Sequence, residues 1–218
     1  MLSLALAQYT SVPTIADIGD QGVTNTVAEV QPYAASTVAS LKSLVTPTNF
    51  RLLGFASTNE VIHATNGEPI LIYTLVLDKL KMYSAGDPFS GLLGPVDRAI
   101  IPVLVNTRVR SSGTLRLTRN LSWTNESWGQ PTLISNLVRT VRGIPLAQLK
   151  PGTVPYAVQI PVFNMWFVGY RDQKDETVFK SVFPLNPLGL PQGGIVSTGV
   201  MSGLSTIAQQ YTGPPKLR

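Results

Sequence analysis

Residues 98–150 read RAIIPVLVNTRVRSSGTLRLTRNLSWTNESWGQPTLISNLVRTVRGIPLAQLK. Apolar and polar residues alternate in several parts of this stretch. In TLRLT at 114–118, for example, two leucines face one way and Arg116 faces the other. Residue pairs that favour turns recur at short spacing, among them Ser112-Gly113. Alternation interrupted by frequent turns is typical of short antiparallel strands, so the stretch predicts a β fold.

The positive charge of the chain is concentrated in the same stretch. It holds one acid, Glu126, and therefore carries +7, whereas the whole chain carries +5 and the remainder carries −2. The basic residues are Arg98, Arg108, Arg110, Arg116, Arg119, Arg139, Arg142 and Lys150. A cationic surface is thus expected from one segment of the fold only.

The composition predicts a surface that is covered by a partner. Charged residues make up 13% of the 218 residues, against about 25% in an ordinary soluble domain. A surface with few charges is poorly protected against association, and the simplest partner is another copy of the chain. The length fits one domain of the larger all-β kind, and no run approaches the roughly 18 apolar residues of a membrane span.

The chain divides into a core with an extension at each end. Residues 1–49 form an N-terminal arm with a short helix over 33–45, residues 50–183 form a β-sandwich core, and residues 184–218 form a C-terminal extension. Residues 1–32 contain no Lys or Arg but many apolar side chains, so this segment is expected to lie along a surface, its own or a neighbour's.

Strands are predicted where β-branched and aromatic residues cluster between turn residues. The Asn66-Gly67 pair predicts a hairpin turn. The segment 132–141 fits either a strand or a short helix, and 195–200 fits an edge strand. The remaining predicted strands are 50–57, 61–65, 70–77, 100–105, 108–110, 114–118, 121–124, 162–168 and 177–183.

The sequence offers little for catalysis or for metal binding. His63 is the only histidine and the chain has no cysteine, so a thiolate site or a zinc site with several imidazole ligands is excluded. Asp172, Asp175 and Glu176 share a segment with Lys174, which is typical of a solvated turn. We therefore expect no enzyme activity, no metal and no cofactor.

Six arginines are the candidate nucleic-acid-binding residues. Strands would deliver several of them to a common face, and the planar guanidinium group donates two hydrogen bonds to one phosphate. The competing interpretation is that they form ion pairs within or between subunits. The candidates are Arg108, Arg110, Arg116, Arg119, Arg139 and Arg142.

With these parts in place, the chain resembles the jelly-roll coat proteins of small icosahedral, picorna-like viruses. The resemblance lies in the order of arm, helix, strands and Pro/Gly-rich extension, in VRSSGTLRLT at 109–118 and in VPYAVQIP at 154–161. It implies an all-β fold: an eight-stranded jelly-roll sandwich with long irregular N- and C-terminal extensions and one or two short helices.

The resemblance also implies a function. The chain would be a structural capsid protein of the virion that self-assembles into an icosahedral shell enclosing a viral genome. Its partners would be copies of itself, other coat proteins, the viral nucleic acid through backbone contacts, and a host surface receptor. Many plant-virus coat proteins carry a basic N-terminal arm, but the first 41 residues here contain no Lys or Arg. Genome contact would therefore come from the arginine-bearing strands or be slight.

A second hypothesis belongs to another class. The chain would be a β-sandwich glycan- or receptor-binding module of a virion or tail accessory protein, with Trp123 and Trp128 stacking on sugars. Both lie in LSWTNESWGQP at 121–131, and burial of either ring in the core would remove that role.

Overall fold

The computed structural model describes residues 26–185 and 188–213. Within these residues the chain forms eight strands and five α-helices. The strands are β1 Thr65–Asn66, β2 Ile70–Leu75, β3 Leu93–Val105, β4 Arg108–Leu117, β5 Trp123–Trp128, β6 Tyr156–Ile160, β7 Met165–Arg171 and β8 Thr177–Ser181. The helices are α1 Val27–Leu44, α2 Thr58–Ile62, α3 Leu77–Lys81, α4 Pro131–Arg142 and α5 Thr198–Gln210.

The eight strands belong to one sheet in the order β5-β4-β3-β2-β6-β7-β8, and β1 pairs with β3. The predicted β fold with short helices is therefore confirmed at the level of its elements. Helices take a larger share than the sequence predicted, since α1, α4 and α5 have 18, 12 and 13 residues.

The described residues divide into two compact units, each built from separated segments. One unit contains Tyr73–Pro95, 140–185 and 188–213, and the other contains 26–72 and Val96–Arg139. These boundaries do not fall at 49/50 or 183/184, where the sequence placed the ends of the core.

In the unit that contains β4, α1 packs on the sheet through one apolar face. Val38 and Leu41 are buried with Val103 and Val105 of β3, and Val45 packs against the same cluster. The predicted short helix is confirmed, although it begins at Val27 and ends at Leu44. Gly113 lies inside β4, where a Cβ atom would overlap the Thr37 side chain of α1. The predicted turn at Ser112-Gly113 is wrong, because the missing side chain serves helix packing within one continuous strand.

The second unit is centred on β6, β7 and β8. Residues after β8 cover its outer edge: the Ser181 amide donates to the Gly194 carbonyl at 3.0 Å, and the Val196 amide donates to the Phe179 carbonyl at 2.8 Å. Helix α5 then packs on α3, where Gln209 Nε2 donates to the Lys81 carbonyl at 2.9 Å.

Several local predictions are wrong. The predicted strands 50–57 and 61–65 do not form: residues 50–54 form turns and residues 58–62 form α2. Phe55 and Val61 are buried in this turn and helix without pairing to another strand. Asn66-Gly67 makes no hairpin with β2, since β1 pairs with β3 and the Gly67 amide donates to the Pro102 carbonyl. Residues 195–200 form only an isolated bridge at Ile195 before α5 begins.

The two extensions are also more regular than predicted where the structure describes them. Residues 27–32 belong to α1, and Pro32 lies inside that helix with its ring exposed. Burial of Val30, Ala34 and Leu41 on the opposite side offsets the hydrogen bond that proline cannot donate. The C-terminal extension contains α5. Residues 1–25 of the predicted arm lie outside the described residues.

Candidate nucleic-acid interface

The structure distributes the six candidate arginines over three places. Arg108, Arg110 and Arg116 lie on β4, Arg119 lies in the turn after it, and the other two lie on α4. A strand rises about 3.3 Å per residue, so Arg108 and Arg116 are separated by roughly 26 Å along β4. The arginines therefore do not form one patch.

Arg110 has a structural partner. Pairing with β3 shifts register between Val103 and Leu104, and Arg110 is the residue of β4 left without an opposite partner at this bulge. Its Nη2 donates to Glu60 Oε1 at 2.8 Å, and both side chains are partly buried. Glu60 Oε2 accepts from the Ala56 amide at 2.6 Å. The Arg110 guanidinium therefore pairs with Glu60 of α2, and the same carboxylate holds the preceding loop at Ala56, so the ion-pair interpretation fits Arg110.

Arg116 has a weaker partner and a cationic neighbour. It lies directly opposite Arg98 in the β3–β4 register, a pairing that repels. Arg116 Nη1 lies 3.4 Å from Glu126 Oε1, and Arg98 Nε lies 3.6 Å from Asp97 Oδ1. Exposed pairs of this length contribute about 0–1 kcal/mol, so a phosphate could replace Glu126 at Arg116. The sequence does not reveal that Arg98 lies beside Arg116, because strand register cannot be read from alternation alone.

Arg119 extends the same end of β4. It is exposed in a turn closed by two backbone hydrogen bonds, from Thr118 to the Ser122 carbonyl at 2.8 Å and from Leu121 to the Thr118 carbonyl at 3.0 Å. No ion-pair partner for Arg119 occurs among residues 26–185 and 188–213. Arg116 and Arg119 together form the β4–β5 end of the candidate interface.

The exposed side of α4 carries the last two candidates. Arg139 and Arg142 are three residues apart and therefore share one side of the helix, whereas Ile134 and Leu137 are buried. Both arginines are exposed and have no ion-pair partner in the part of the chain that the structure describes. Cations near the C-terminal end of a helix also stabilise its dipole, which is a structural explanation for the same residues.

The two tryptophans of the glycan-binding hypothesis are turned to one covered face. The register of β4 with β5 shifts so that Leu117 is opposite Trp123 and Gly113 is opposite Trp128, with Glu126 as the extra residue. Trp123 is only 5% exposed, and Trp128 packs against the cluster under α1. Trp123 is therefore buried and Trp128 is half-buried, so the structure presents neither ring as a fully exposed platform for a sugar.

The remaining candidates for chemistry have structural roles. His63 ends α2 as an exposed residue, where its amide donates to the Glu60 carbonyl. Asp172 Oδ1 accepts from the amides of Lys174 and Glu176 at 2.9 Å each, which closes the predicted turn. A hydrogen bond from Lys150 lowers the pKa of the exposed Asp175 carboxyl.

Within the described residues, no group of His, Cys, Asp and Glu side chains is arranged to hold a metal ion. No helix there is long and apolar enough to cross a bilayer. Comparisons with models of protein families, with curated proteins and with solved structures find no match to this chain.

Proposed function

We propose that this chain is a structural coat protein whose copies assemble into an icosahedral shell around a viral genome, and that it catalyses no reaction. The observation that carries the proposal is the exposure of large apolar side chains on a surface with few charges. Among the described residues, Leu52 is 79% exposed and Met82 is 72% exposed. The others are Leu44, Ile62, Leu121, Leu146 and Ile195.

These side chains support burial between subunits. Transfer of an exposed Leu or Met side chain into an apolar contact stabilises the contact by about 1.5–3 kcal/mol. They are distributed over both units, as a subunit with several different neighbours in a closed shell requires. Charged residues at 13% of the chain leave little surface that would oppose such contacts.

The jelly-roll arrangement belongs to the proposal, and two features support it. Residues 99–103 of β3 are buried without interruption, which requires cover on both faces of the sheet. After β5, the chain returns through α4 to place β6 beside β2. A late strand that returns beside the first of a consecutive set is the Greek-key connection, and jelly rolls contain two of these.

Contact with the genome is assigned to the arginines that the fold leaves exposed. These are Arg108, Arg119, Arg139 and Arg142. Arg116 is also available, because its ion pair with Glu126 is weak. Such contacts would bind the phosphate backbone without sequence preference, and added salt would weaken them.

Sedimentation of the purified chain tests the proposal. We expect a fast-sedimenting particle of one discrete size, made of many copies. Met82→Asp should shift the protein toward small species, because a carboxylate would then be buried in a contact. Ser84→Asp, at a nearby exposed position, is the control and should assemble normally. A chain that stays monomeric at every concentration would show that it is not a coat protein.

A further inference from the structure

Two arginines face each other on adjacent strands of the unit that contains β4. Arg98 of β3 is the direct partner of Arg116 of β4 in the sheet register. The Thr118 amide donates to the Ser122 carbonyl, so the backbone groups of Thr118 point to the β5 side, and those of Arg116, two residues earlier, point the same way. Arg98 and Arg116 therefore form a pair without backbone hydrogen bonds, in which opposite Cα atoms lie about 4.5 Å apart and side chains are closest.

The acids beside these arginines hold them loosely. Glu126 Oε1 lies 3.4 Å from Arg116 Nη1 and Asp97 Oδ1 lies 3.6 Å from Arg98 Nε, whereas charge-assisted hydrogen bonds are about 2.7–2.9 Å long. Asp97 Oδ1 is buried and finds no hydrogen-bond donor among residues 26–185 and 188–213. These two carboxylates thus offset only part of the repulsion between like charges that lie directly opposite each other.

The same row of the sheet adds a hydroxyl group and is open to solvent. Thr124 of β5 is opposite Arg116, and its exposed side chain reaches the Arg116 carbonyl only at 3.5 Å. The side chains of Arg98 and Arg116 are 21% and 43% exposed. Because residues directly opposite each other project from the same face, two guanidinium groups and one hydroxyl group can converge on one anion.

A phosphate group matches this arrangement in charge and in geometry. Each guanidinium donates a planar fork of N–H groups, and the oxygens of a phosphate accept such forks from more than one side. A carboxylate has only two oxygens, so a carboxylate ligand would pair with one fork and leave the second arginine repelled. A bound phosphate would neutralise both arginines and displace Glu126 from Arg116.

We propose that Arg98 and Arg116, with Thr124 beside them, form a site that binds one phosphate group between the two guanidinium groups, with Glu126 as an internal competitor for Arg116. The inference rests on the proposed function for the source of this group, which is the backbone of the genome. It adds Arg98 to the residues that contact the genome and gives Glu126 the role of weakening that contact.

Thermal denaturation in increasing inorganic phosphate, with ionic strength held constant by chloride, measures binding to the folded chain. We expect Arg116→Gln to weaken phosphate binding at least about tenfold, because one of the two forks is lost. Glu126→Gln should strengthen binding about two- to fivefold, since the competitor for Arg116 no longer carries a charge. Glu176→Gln, in the exposed turn between β7 and β8, changes the net charge equally and should leave phosphate binding unchanged.

Unchanged phosphate binding in Arg116→Gln would overturn the proposal. Equal effects of Glu126→Gln and Glu176→Gln would overturn it as well, because the attraction would then depend on net charge and not on this site. Glu126→Gln keeps the test decisive if Arg116→Gln impairs folding.

A single-stranded oligothymidylate, titrated into the same variants, identifies the source of the phosphate group. Parallel changes for both probes would support a nucleic-acid backbone as the ligand, whereas changes confined to inorganic phosphate would support the site and assign it to a free phosphate ion. Failure of the coat function is seen separately, as an absence of particles, because phosphate binding by the purified chain does not require assembly.

Discussion

Gly54 lies where the loop before α2 closely approaches β4. Its φ is +94°, and a Cβ atom there would overlap the Arg110 carbonyl oxygen. Gly129 has a similar φ of +101°, but its nearest neighbour would lie at an ordinary 3.8 Å. Alanine substitutions at these two positions therefore separate the free-energy cost of a left-handed backbone from the cost of steric overlap.

We predict that Gly54→Ala lowers the free energy of unfolding more than Gly129→Ala does. Both substitutions incur about 1–2 kcal/mol for a left-handed backbone. Gly54→Ala should cost a further 1–3 kcal/mol or so, because the carbonyl must move. Urea denaturation of both variants measures the difference, and equal midpoints would show that the loop is not tightly packed on β4.

The Glu60–Arg110 pair should matter more than the Arg116–Glu126 pair. Glu60→Gln keeps an oxygen that can accept from Ala56 but removes the charge facing the partly buried Arg110, so we expect a loss of about 1–2 kcal/mol. Glu126→Gln removes an exposed pair and should change stability by less than about 0.5 kcal/mol. Thermal denaturation compares the two variants; a larger effect at Glu126 would contradict the assignment of Arg110 to the fold.

Among the elements, β2 and β6 carry a pair of buried tyrosines. The rings of Tyr73 and Tyr156 lie 4.7 Å apart. Burial raises the pKa of Tyr73 to about 12 and also raises the pKa of Tyr156, while the Arg171 guanidinium opposes both shifts. The folded state thus favours the neutral phenols.

These raised pKa values predict loss of stability in alkali. The contribution is present below about pH 10, where unfolded tyrosine ionises, and is lost as the pH rises toward about 12. Tyr73→Phe should flatten the decline by up to about 1.4 kcal/mol per pH unit. Denaturation curves across this range measure the slope, with Tyr33→Phe, on α1, as the control. An unchanged slope in Tyr73→Phe would mean that this phenol titrates normally.

Sequence periodicity predicted the elements in which buried apolar residues are regularly spaced or continuous. The helix that contains Val38 and Leu41 was predicted, and so were the strands β2 and β8. The segment of α4 was ambiguous because TLISNLVRTV suits either period. Burial of Ile134 and Leu137, three residues apart, decides for the helix.

Bulges account for much of what the sequence could not predict about the site. One extra residue in β4 directs Arg110 toward Glu60, and one extra residue in β5 turns both Trp123 and Trp128 to the same face. A shift of one residue exchanges the faces of a strand, and alternation alone does not reveal where such a shift occurs. The six arginines were therefore identified as a group, but their separation into three places was not.

At the scale of the whole molecule, the exposed arginines should determine how much nucleic acid the assembled protein retains. Arg116→Glu/Arg119→Glu should reduce co-purifying nucleic acid and its salt-sensitive retention while leaving the fold intact. Arg51→Glu/Lys174→Glu changes net charge equally at exposed positions elsewhere and is the control. A full nucleic-acid load in the first variant would show that the β4–β5 end does not contact the genome.

Negative-stain electron microscopy of the purified chain, with ultraviolet absorbance of the same fraction, tests self-assembly most directly. The coat-protein proposal predicts closed particles of uniform diameter with an absorbance spectrum dominated by nucleic acid. Closed particles without nucleic acid would support the proposed shell but contradict the proposed contact between the arginines and the genome. A small, monodisperse species that persists across salt and pH would contradict the proposal that this chain is a coat protein.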